Sequence, residues 1–393
     1  MLDGIKRIRS GSGQRVVVGM SGGVDSAVTA ALLKEAGYDV IGVTLTLWQD
    51  ENEDEKAWQD RSCCKVGLAR HVAKELDIPH HKVDIQKVFQ TEVIDDFCDT
   101  YLIGETPNPC VRCNARVKFT QLLSSARELG ADYLATGHYS RIRYDVEHKR
   151  YALLKGIDLN KDQSYFLYRL SQAQLAATLF PLGEMCKEDV YKKAAEMGLP
   201  YEEILESQEV CFVTQKDYRA FLSENRPEAK RPGEVVSPSG EVLGQHEGFA
   251  FYTVGQRRGL GIAMGERRYV TALSPALNQV VLGTEDELLC NSFITKDLVW
   301  GALGSLKTVC AVQARIRHRA EPVAADIIPL ETGDPEISDV YVRFHRPERG
   351  VTPGQSVVFY QGDEVIGGGT ISKHKEIEGD GQKSLIQLKL DQA

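Results

Sequence analysis

Near its N-terminus the chain reads Gly19-Met20-Ser21-Gly22-Gly23-Val24-Asp25-Ser26, between the β-branched run Arg15–Val18 and the amphipathic stretch Ser26–Glu35. The octapeptide therefore joins a strand to a helix. Its adjacent glycines let the backbone approach a ligand closely, and the amides and dipole of the following helix favour a bound anion. Because it lacks both the Gly-Lys-Ser/Thr of Walker-type loops and the three-glycine spacing of dinucleotide-binding folds, it indicates another nucleotide chemistry.

Strand and helix patterns alternate through the first half of the chain. The predicted strands are Arg15–Val18, Val40–Leu47, His80–Val83 and Tyr133–Thr136. The predicted helices between them are Ser26–Glu35, Val66–Leu76, Val88–Tyr101 and Val117–Leu129. This alternation predicts the α/β class with a doubly wound parallel sheet, whose ligands bind outside the carboxyl ends of the strands.

Three domains are expected. The α/β domain, residues 1–225, closes with a hairpin-like pair and helices at Arg141–Tyr144, Tyr151–Lys155, Gln163–Leu170, Gln172–Ala177 and Lys187–Met197. Residues 226–290 are rich in Pro and Gly, and the turn Pro238–Gly240 indicates a hairpin in a small β-rich central domain. Residues 291–393 alternate in short runs that predict a C-terminal all-β barrel. These runs include Val309–Arg317, Val340–Phe344, Ser356–Tyr360 and Leu385–Leu390.

Composition narrows the class of protein. With 393 residues, 42% hydrophobic and 26% charged, the chain is neither a single small module nor disordered. No run of eighteen apolar residues occurs, so we expect a cytoplasmic protein with no membrane partner. Nine cysteines are too few for a disulfide scaffold, and cytoplasmic thiols stay reduced unless they are catalytic, redox-active or metal-bound. The net charge of −9 argues against indiscriminate polyanion binding.

The cysteines differ in their sequence surroundings. Cys110-Val111-Arg112-Cys113 follows two prolines, and a thiol beside Arg112 and a helix start is expected to be partly thiolate. A redox pair, half of a metal site and a structural role all stay open, although a four-cysteine zinc site would need a second such pair. For Cys211 the sequence alone does not decide between a structural and a functional role. The remaining cysteines are expected to be structural, with core packing predicted for all but the adjacent pair that comes first: Cys63, Cys64, Cys98, Cys186, Cys290 and Cys310.

The glycine loop resembles the Ser-Gly-Gly-x-Asp-Ser motif of the PP-loop pyrophosphatases, an adenine nucleotide α-hydrolase-like fold. Those enzymes cleave ATP between the α and β phosphates and adenylate an oxygen of the substrate. In that interpretation Ser21, Gly22, Gly23 and Ser26 hold the pyrophosphate, and Asp25 helps to place Mg²⁺.

Seven motifs in order extend the resemblance over roughly Arg15 to Leu390. They are Gly19–Ser26, Thr106–Asn114, Ala135–Tyr139, Lys161–Phe166, Glu209–Val213, Thr253–Gly261 and Val351–Ser356. Together they resemble the tRNA-specific 2-thiouridylase family, MnmA. The resemblance implies sulfur insertion at carbon 2 of the wobble uridine in tRNAs for Lys, Glu and Gln, after ATP has adenylated the uracil oxygen.

The same resemblance implies residue roles. Cys211 would carry a persulfide, and Cys113 would free its sulfur and leave a Cys113–Cys211 disulfide for a reductant to reopen. A sulfur donor protein or sulfide source is implied as well. The nucleotide residues would be Gly19, Met20, Ser21, Gly22, Gly23, Val24, Asp25, Ser26, Leu45 and Gly137. The tRNA residues would be Asn108, Pro109, Cys110, His138, Lys161, Asp162, Gln163, Arg315, Ile316 and Gln355, with the first three at the target base.

Cys110 departs from the family pattern, in which many members carry aspartate. Three thiols, Cys110, Cys113 and Cys211, could then converge, and three thiolates with one open position suit a [4Fe–4S] cluster. A second hypothesis is therefore delivery of sulfide from such a cluster.

Although the net charge is negative, basic residues are clustered in two segments, 226–268 and 315–349. With aromatic residues between them, these clusters suit phosphate contact and base stacking. The clustered cations are Arg226, Lys230, Arg231, Arg257, Arg258, Arg267, Arg268, Arg315, Arg317, Arg319, Arg343, Arg346 and Arg349.

Three rival functions remain. A PP-loop ligase such as a GMP, argininosuccinate or lysidine synthetase would use an amine instead of sulfur. A nucleotide sensor would bind ATP and tRNA without turnover, and another tRNA thiolase would modify a different base.

Overall fold

The computed structural model describes residues 13–47, 65–198, 210–213, 217–262, 265–330 and 339–372. Contacts divide the chain into two compact units. The first contains residues 1–94, 109–214 and 363–366, and the second contains residues 95–108, 215–362 and 367–393. The stretch Asp50–Asp60 carries many acidic and few apolar residues, a composition that predicts a solvated loop. It lies outside the described residues, as do Cys63, Cys64 and the predicted strand Leu385–Leu390.

A five-stranded parallel sheet organises the first unit, in the order β3-β2-β1-β4-β7. Its strands are β1 (Arg15–Gly19), β2 (Asp39–Thr46), β3 (His80–Asp84), β4 (Tyr133–Ala135) and β7 (Thr178–Leu179). The central strands are buried, as expected for a parallel sheet covered on both faces. The predicted strands and the α/β class are confirmed.

Short helices pack on this sheet, on one another and on the strands that follow it. They are α1 (Val24–Glu35), α2 (Val66–Glu75), α7 (Ser164–Leu167), α8 (Gln172–Ala176) and α9 (Lys187–Glu196), with a 3₁₀ turn at Pro181–Glu184. Most of α1 is buried, and α9 packs on it through Val190 and Ala194. The helix that carries the glycine loop is therefore held inside the core.

Two predicted helices contain π-helical turns. Val88–Tyr101 is built from α3 (Gln86–Phe89), the π turn Gln90–Asp95 and α4 (Asp96–Leu102). Val117–Leu129 begins earlier, as α5 (Pro109–Arg112), the π turn Cys113–Lys118 and α6 (Phe119–Glu128). Proline is favoured at the first helical position, which explains the earlier start at Pro109. Such π turns are rare, and they often mark functional sites.

The predicted hairpin of the first unit is confirmed as β5 (Ser140–Asp145) and β6 (Arg150–Lys155). The strand β6 also pairs, at Leu153 and Leu154, with Val365 and Glu364 of β17 (Glu364–Ile371). Residues 363–366 belong to the first unit, and the rest of β17 belongs to the second.

The second unit contains a central sheet in the order β10-β11-β8-β9. Its strands are β8 (Gly233–Val236), β9 (Val242–His246), β10 (Tyr269–Ser274) and β11 (Gln279–Gly283). The strands β8 and β9 form the antiparallel hairpin predicted around Pro238–Gly240. The helix α10 (Tyr218–Asn225) precedes this sheet.

A closed antiparallel barrel follows, in the order β12-β15-β14-β13-β16-β17, with β12 also paired to β17. Its other strands are β12 (Leu289–Trp300), β13 (Cys310–Arg315), β14 (Val323–Pro329), β15 (Val340–Arg349) and β16 (Ser356–Gln361). Alternate residues such as Val340, Val342 and Phe344 are buried inside it. The predicted all-β barrel is confirmed, and among the described residues the pairing of β12 with β17 closes it.

Cysteine burial corrects one expectation. Cys98 is buried in α4, and burial raises the pKa of its thiol to about 11, in keeping with core packing. Cys290 and Cys310 are partly buried. The prediction that Cys186 packs in the core is wrong, because it is exposed at the residue that precedes α9. Among the described residues no helix has the length and apolarity needed to cross a membrane.

Gly183 tests the packing of the first unit. A Cβ at Gly183 would lie 1.9 Å from the carbonyl oxygen of Ser140, so Gly183→Ala should lower the stability by about 2 kcal/mol or more. The control is Gly265→Ala, where a Cβ would meet nothing within 4 Å. Thermal unfolding measures both variants, and equal midpoints for the two would contradict the packing described.

Candidate nucleotide site and cysteine helix

Side-chain hydroxyls fold the glycine loop at the carboxyl end of β1. The Ser26 hydroxyl accepts from the Ser21 amide at 3.2 Å and donates to the Gly23 carbonyl at 2.9 Å. Gly22 has a φ of 78°, and a Cβ there would lie 2.5 Å from the Lys65 carbonyl oxygen. A side chain at this position would therefore be both strained and obstructed.

The neighbouring strands hold the start of the loop. The Met20 amide donates to the Val43 carbonyl at 2.8 Å, and the buried Thr44 hydroxyl donates to the Met20 carbonyl at 2.8 Å. The Thr44 oxygen also lies 2.8 Å from His80 Nε2. Because Thr44 already donates to Met20, we infer that His80 donates here, and burial lowers the pKa of His80.

A cavity of about 230 Å³ opens beside the loop. Its polar wall includes Gly19, Met20, Ser21, Asp25, Ser26, Thr136, Gly137, His138, Gln163 and Lys118. Its apolar wall includes Val43, Leu45, Leu47, Phe119 and Leu122. An apolar cleft with convergent polar groups is the usual form of a small-molecule site, and this one suits a base and an anion.

The predicted nucleotide residues lie at or beside this cavity. Seven of them line it: Gly19, Met20, Ser21, Asp25, Ser26, Leu45 and Gly137. Gly22 and Gly23 shape the loop, and Val24 is buried in the core beneath it. Gly137 is required for close packing, since a Cβ there would lie 2.8 Å from the backbone of Asp25.

His138 forms part of the cavity wall between the rings of Phe119 and Phe180. Its Nδ1 lies 2.8 Å from the Thr136 hydroxyl. Burial, with a smaller effect from the Lys118 charge, lowers the pKa of His138 to about 3. The imidazole is therefore neutral at physiological pH and can position a polar group without adding charge.

Asp25 is bound by a lysine that the sequence did not indicate. The buried Lys187 ammonium contacts both Asp25 carboxylate oxygens, at 2.8 and 2.9 Å, and the Tyr139 hydroxyl donates to Oδ1 at 2.8 Å. The Lys187 side chain is 7% exposed and that of Asp25 is 32% exposed. Lys187 starts α9, so this ion pair connects the glycine loop to a helix that is distant in sequence but packs against α1.

This pairing bears on the predicted Mg²⁺ site. A divalent cation on the Asp25 carboxylate would have to lie close to the Lys187 ammonium, which contacts both carboxylate oxygens, and the two cations would repel each other. Asp25 in this arrangement therefore does not fit the role of a direct magnesium ligand.

The Cys-x-x-Cys pair lies at the start of a helix. Cys110 is exposed in α5, whereas Cys113 is 6% exposed and begins the π turn. The Arg112 guanidinium contacts Glu92 through its carbonyl and its carboxylate. Arg112 thus anchors the helix at this pair, and the partly ionised thiol expected from the sequence stays a prediction.

Cys211 approaches the same part of the first unit. The adjacent Phe212 is buried, and its ring packs edge-on against Phe89 of α3 with centroids 5.7 Å apart. Helix α3 also contacts the π turn that begins with Cys113. The segments of the two cysteines thus share α3 as a neighbour, although ninety-eight residues separate them along the chain.

The cluster hypothesis receives no support from this geometry. Within the described ranges, no three His, Cys, Asp or Glu side chains are grouped as metal ligands. Cys110, Cys113 and Cys211 as they lie here therefore do not fit a [4Fe–4S] cluster, and we derive no step through one.

A barrel loop holds the segment before the cysteines. Within the second unit, the Gln355 amide donates to the carbonyls of Thr106 and Pro107 at 3.2 and 2.7 Å. The Thr106 amide donates to Pro353 at 2.8 Å. Gly354 has a φ of 88°, and a Cβ there would lie 2.7 Å from Thr106. Gln355, predicted to contact tRNA, thus fixes the backbone beside Asn108.

Other predicted tRNA residues differ in exposure. The Asp162 carboxylate is buried and accepts from the Ser164 amide and hydroxyl and from the Gly156 amide, so its side chain stabilises a loop. Lys161 and Gln163 flank it and are partly exposed. Ile316 is buried, whereas Arg315 is partly exposed and donates to Ala320.

Several clustered arginines are engaged in ion pairs within the second unit. Arg226 contacts Asp95 and Asp99, and Arg343 contacts Asp326. Arg268 and Arg349 contact Glu266 and Glu285. The exposed cations of the central domain include Arg231, Arg257, Arg258 and Arg267.

Sequence reasoning missed four contributors: Lys118, Phe119, Tyr139 and Lys187. Lys118 and Phe119 lie at the end of the π turn that begins with Cys113, and apolar spacing in the sequence did not indicate this turn. Lys187 begins a charged helix segment that reads as a solvated surface. Tyr139 lay within a quoted motif but had no predicted role.

A parallel sheet with this glycine loop at its carboxyl edge, followed by two β domains, defines a PP-loop nucleotide-binding protein. The chain matches three family models, described as tRNA methyl transferase HUP domain (residues 14–215), tRNA methyl transferase PRC-barrel domain (219–284) and Aminomethyltransferase beta-barrel domain (290–371).

Curated relatives are similar along nearly the whole chain. The tRNA-specific 2-thiouridylase MnmA of Moorella thermoacetica is 48% identical over 92% of this chain and 100% of its own length. That of Heliobacterium modesticaldum is 47% identical over 93% of this chain and 94% of its own length. The chain belongs to the tRNA-specific 2-thiouridylase family, and the resemblance described above is confirmed.

Among solved structures, a 4-thiouridine synthetase–RNA complex with bound ATP matches 56% of this chain and 52% of its own, with a TM-score of 0.34 and 18% identity.

The Lys187–Asp25 pair can be tested by stability. Lys187→Met leaves a carboxylate without its ammonium and should lower the free energy of unfolding of the first unit by about 2 kcal/mol, less than for a fully buried pair because Asp25 is partly exposed. The double variant Asp25→Asn/Lys187→Met should recover part of this loss. The control, Lys192→Met, alters an exposed pair on the same helix and should change little. Denaturant unfolding that finds Lys187→Met and Lys192→Met alike would refute the assigned role.

The Gln355 contacts can be tested by hydrogen exchange. Gln355→Ala removes both donors to the Thr106–Pro107 backbone, so the Thr106 amide should exchange faster in a peptide that covers this segment. Gln361→Ala, whose amide donates to Ala311 on the barrel, is the matched control and should leave that peptide unchanged. Unaltered exchange in Gln355→Ala would mean that other contacts hold the segment.

Proposed function

We propose that this protein catalyses the ATP-dependent 2-thiolation of the wobble uridine in tRNAs for Lys, Glu and Gln, releasing AMP and diphosphate. Membership of the tRNA-specific 2-thiouridylase family supports the substrate class and the reaction. The location of the reaction in the cytoplasm is proposed as well.

One observation carries the proposal. The π turn that begins with Cys113 ends with Lys118, and Lys118 and Phe119 line the nucleotide cavity. A thiol and a nucleotide site thus lie on one short stretch of helix. A protein that only ligated amines would have no need of this thiol.

Adenylation answers a chemical difficulty. The C2 carbonyl of uracil has a poor leaving group, so a sulfur nucleophile cannot replace its oxygen directly. When that oxygen attacks the α-phosphorus of ATP, the bond between the α phosphorus and the bridging oxygen breaks and diphosphate leaves with the electron pair. The C2 oxygen then departs as AMP.

The cysteines supply sulfur in two balanced steps. The terminal sulfur of a Cys211 persulfide attacks C2 and expels AMP. The Cys113 thiolate then attacks the Cys211 sulfur, which breaks the S–S bond, leaves the sulfur on C2 and oxidises the two thiols to a disulfide. A sulfur donor protein recharges Cys211, and a thiol reductant first reopens the disulfide.

The remaining residue roles are part of the proposal. The nucleotide is held by Gly19–Ser26, Leu45 and Gly137, and Mg²⁺ is carried by the phosphate oxygens of ATP. The target base lies against Asn108, Pro109 and Cys110 after it has left its stack. The RNA body contacts His138, Lys161, Asp162, Gln163, Arg315, Ile316 and Gln355, with Asp162 and Ile316 contributing backbone.

Reconstitution tests the proposal. The protein is incubated with ATP, a persulfide source, a reductant and unmodified tRNA, and the digested RNA is searched for 2-thiouridine by mass spectrometry. Cys113→Ser and Cys211→Ser should each abolish the product. Cys186→Ser, which alters an exposed thiol at the start of α9, is the control and should leave the yield unchanged.

The outcomes separate the rival functions. Diphosphate release without thionucleoside, unaffected by the cysteine changes, would indicate an amine ligase. A thionucleoside that maps to another position would indicate another thiolase. The absence of tRNA-dependent diphosphate release would leave a nucleotide sensor.

A further inference from the structure

The nucleotide cavity has an uneven charge balance. The Asp25 carboxylate lies in its wall, and the neutral His138 offsets none of that charge. Lys187, which does offset it, is not among the residues that line the cavity. A triphosphate brought to this wall adds about three to four negative charges, so a cation within the cavity would strengthen binding beyond what the loop amides and the Mg²⁺ carried by ATP supply.

Lys118 can supply this cation. Among the described residues that line the cavity, it is the one lysine, and no arginine lines it. Its neighbours Val117 and Phe119 are fully buried, which fixes the backbone on both sides of a residue that lines the cavity. Lys118 and His138 both belong to the wall of this cavity, and the charge of Lys118 adds, after burial, to the lowering of the pKa of His138.

We propose that the Lys118 ammonium binds the polyphosphate of the nucleotide and neutralises the charge that gathers on diphosphate as it leaves. The inference deepens the proposed function and rests on ATP binding in this cavity. A Walker-type loop carries such a lysine within its own motif. Here the lysine comes from the helical segment that carries Cys110 and Cys113, five residues after Cys113.

The location of this lysine has a consequence for the reaction. Lys118 and Cys113 lie at opposite ends of one π turn. A phosphate-bound ammonium would therefore link the bound nucleotide to the helix end that follows the nucleophile. Nucleotide binding and cysteine placement become parts of one local arrangement.

Paired ligands test the role of the charge. The dissociation constants of ATP and of adenosine are measured by calorimetry for the wild type, Lys118→Met, Lys118→Arg and Lys82→Met. Lys118→Met should bind ATP at least about tenfold more weakly and adenosine within about twofold of the wild type, because only the phosphate contact is lost. Lys118→Arg should recover part of the ATP affinity. Lys82→Met, an exposed change on β3, should match the wild type.

The other outcomes are equally decisive. Equal ATP affinity in Lys118→Met and the wild type would overturn the inference and leave the proposed function intact. Loss of adenosine and ATP binding together would show a structural role for Lys118 and overturn it as well. A folded wild type that binds no ATP would overturn the proposed function itself.

A kinetic readout separates binding from stabilisation of the departing diphosphate. In the presence of tRNA and saturating ATP, the rate at which Lys118→Met forms AMP and diphosphate should remain below that of the wild type. A normal rate at saturation would restrict Lys118 to ground-state binding and refute its role on the leaving group.

Discussion

The glycine loop depends on one ion pair between a buried lysine and a partly buried aspartate. At this depth a carboxylate without a partner would be costly, even though the Asp25 side chain keeps 32% of its surface exposed. Lys187 and Tyr139 satisfy it from an adjacent helix and from the loop after β4. Because Gly137 packs against the Asp25 backbone, the ion pair also fixes the distance between the two loops that flank the cavity. The anion site is thus preformed by contacts within the protein, before a ligand binds.

This arrangement divides the work of the cations. Lys187 compensates the protein's own carboxylate, while Lys118 faces the space that a nucleotide would fill. If Lys187 served the ligand instead, Asp25 would remain uncompensated whenever the cavity emptied. Separate lysines allow the loop to keep its conformation while the ligand comes and goes. The aspartate in the motif then acts mainly as an internal counter-ion.

Local patterns in the sequence predicted much of this fold. The position of Gly19–Ser26 between a strand pattern and a helix pattern was enough to predict an anion-binding loop. The alternation of strand and helix patterns predicted the parallel sheet, and the alternation within short runs predicted the barrel. The contacts of Lys187 and Gln355 could not be predicted in this way, since each joins segments more than a hundred and fifty residues apart. The π turn at Cys113–Lys118 was missed because its extra residue per turn leaves no clear sign in apolar spacing. Pro109 did offer a signal for the helix start that went unused.

The segment around the Cys-x-x-Cys pair shows why such contacts matter. Gln355 fixes the backbone at Thr106 and Pro107, and a few residues later Arg112 fixes the helix to Glu92. A chain held on both sides over so short a span has little conformational freedom left to lose. A base seated at Asn108–Cys110 would meet a surface already ordered, and ordering at the moment of binding would cost little. Reactions that need a base, a nucleotide and two thiols together gain most from this kind of preorganisation, because an error in any one position slows every later step.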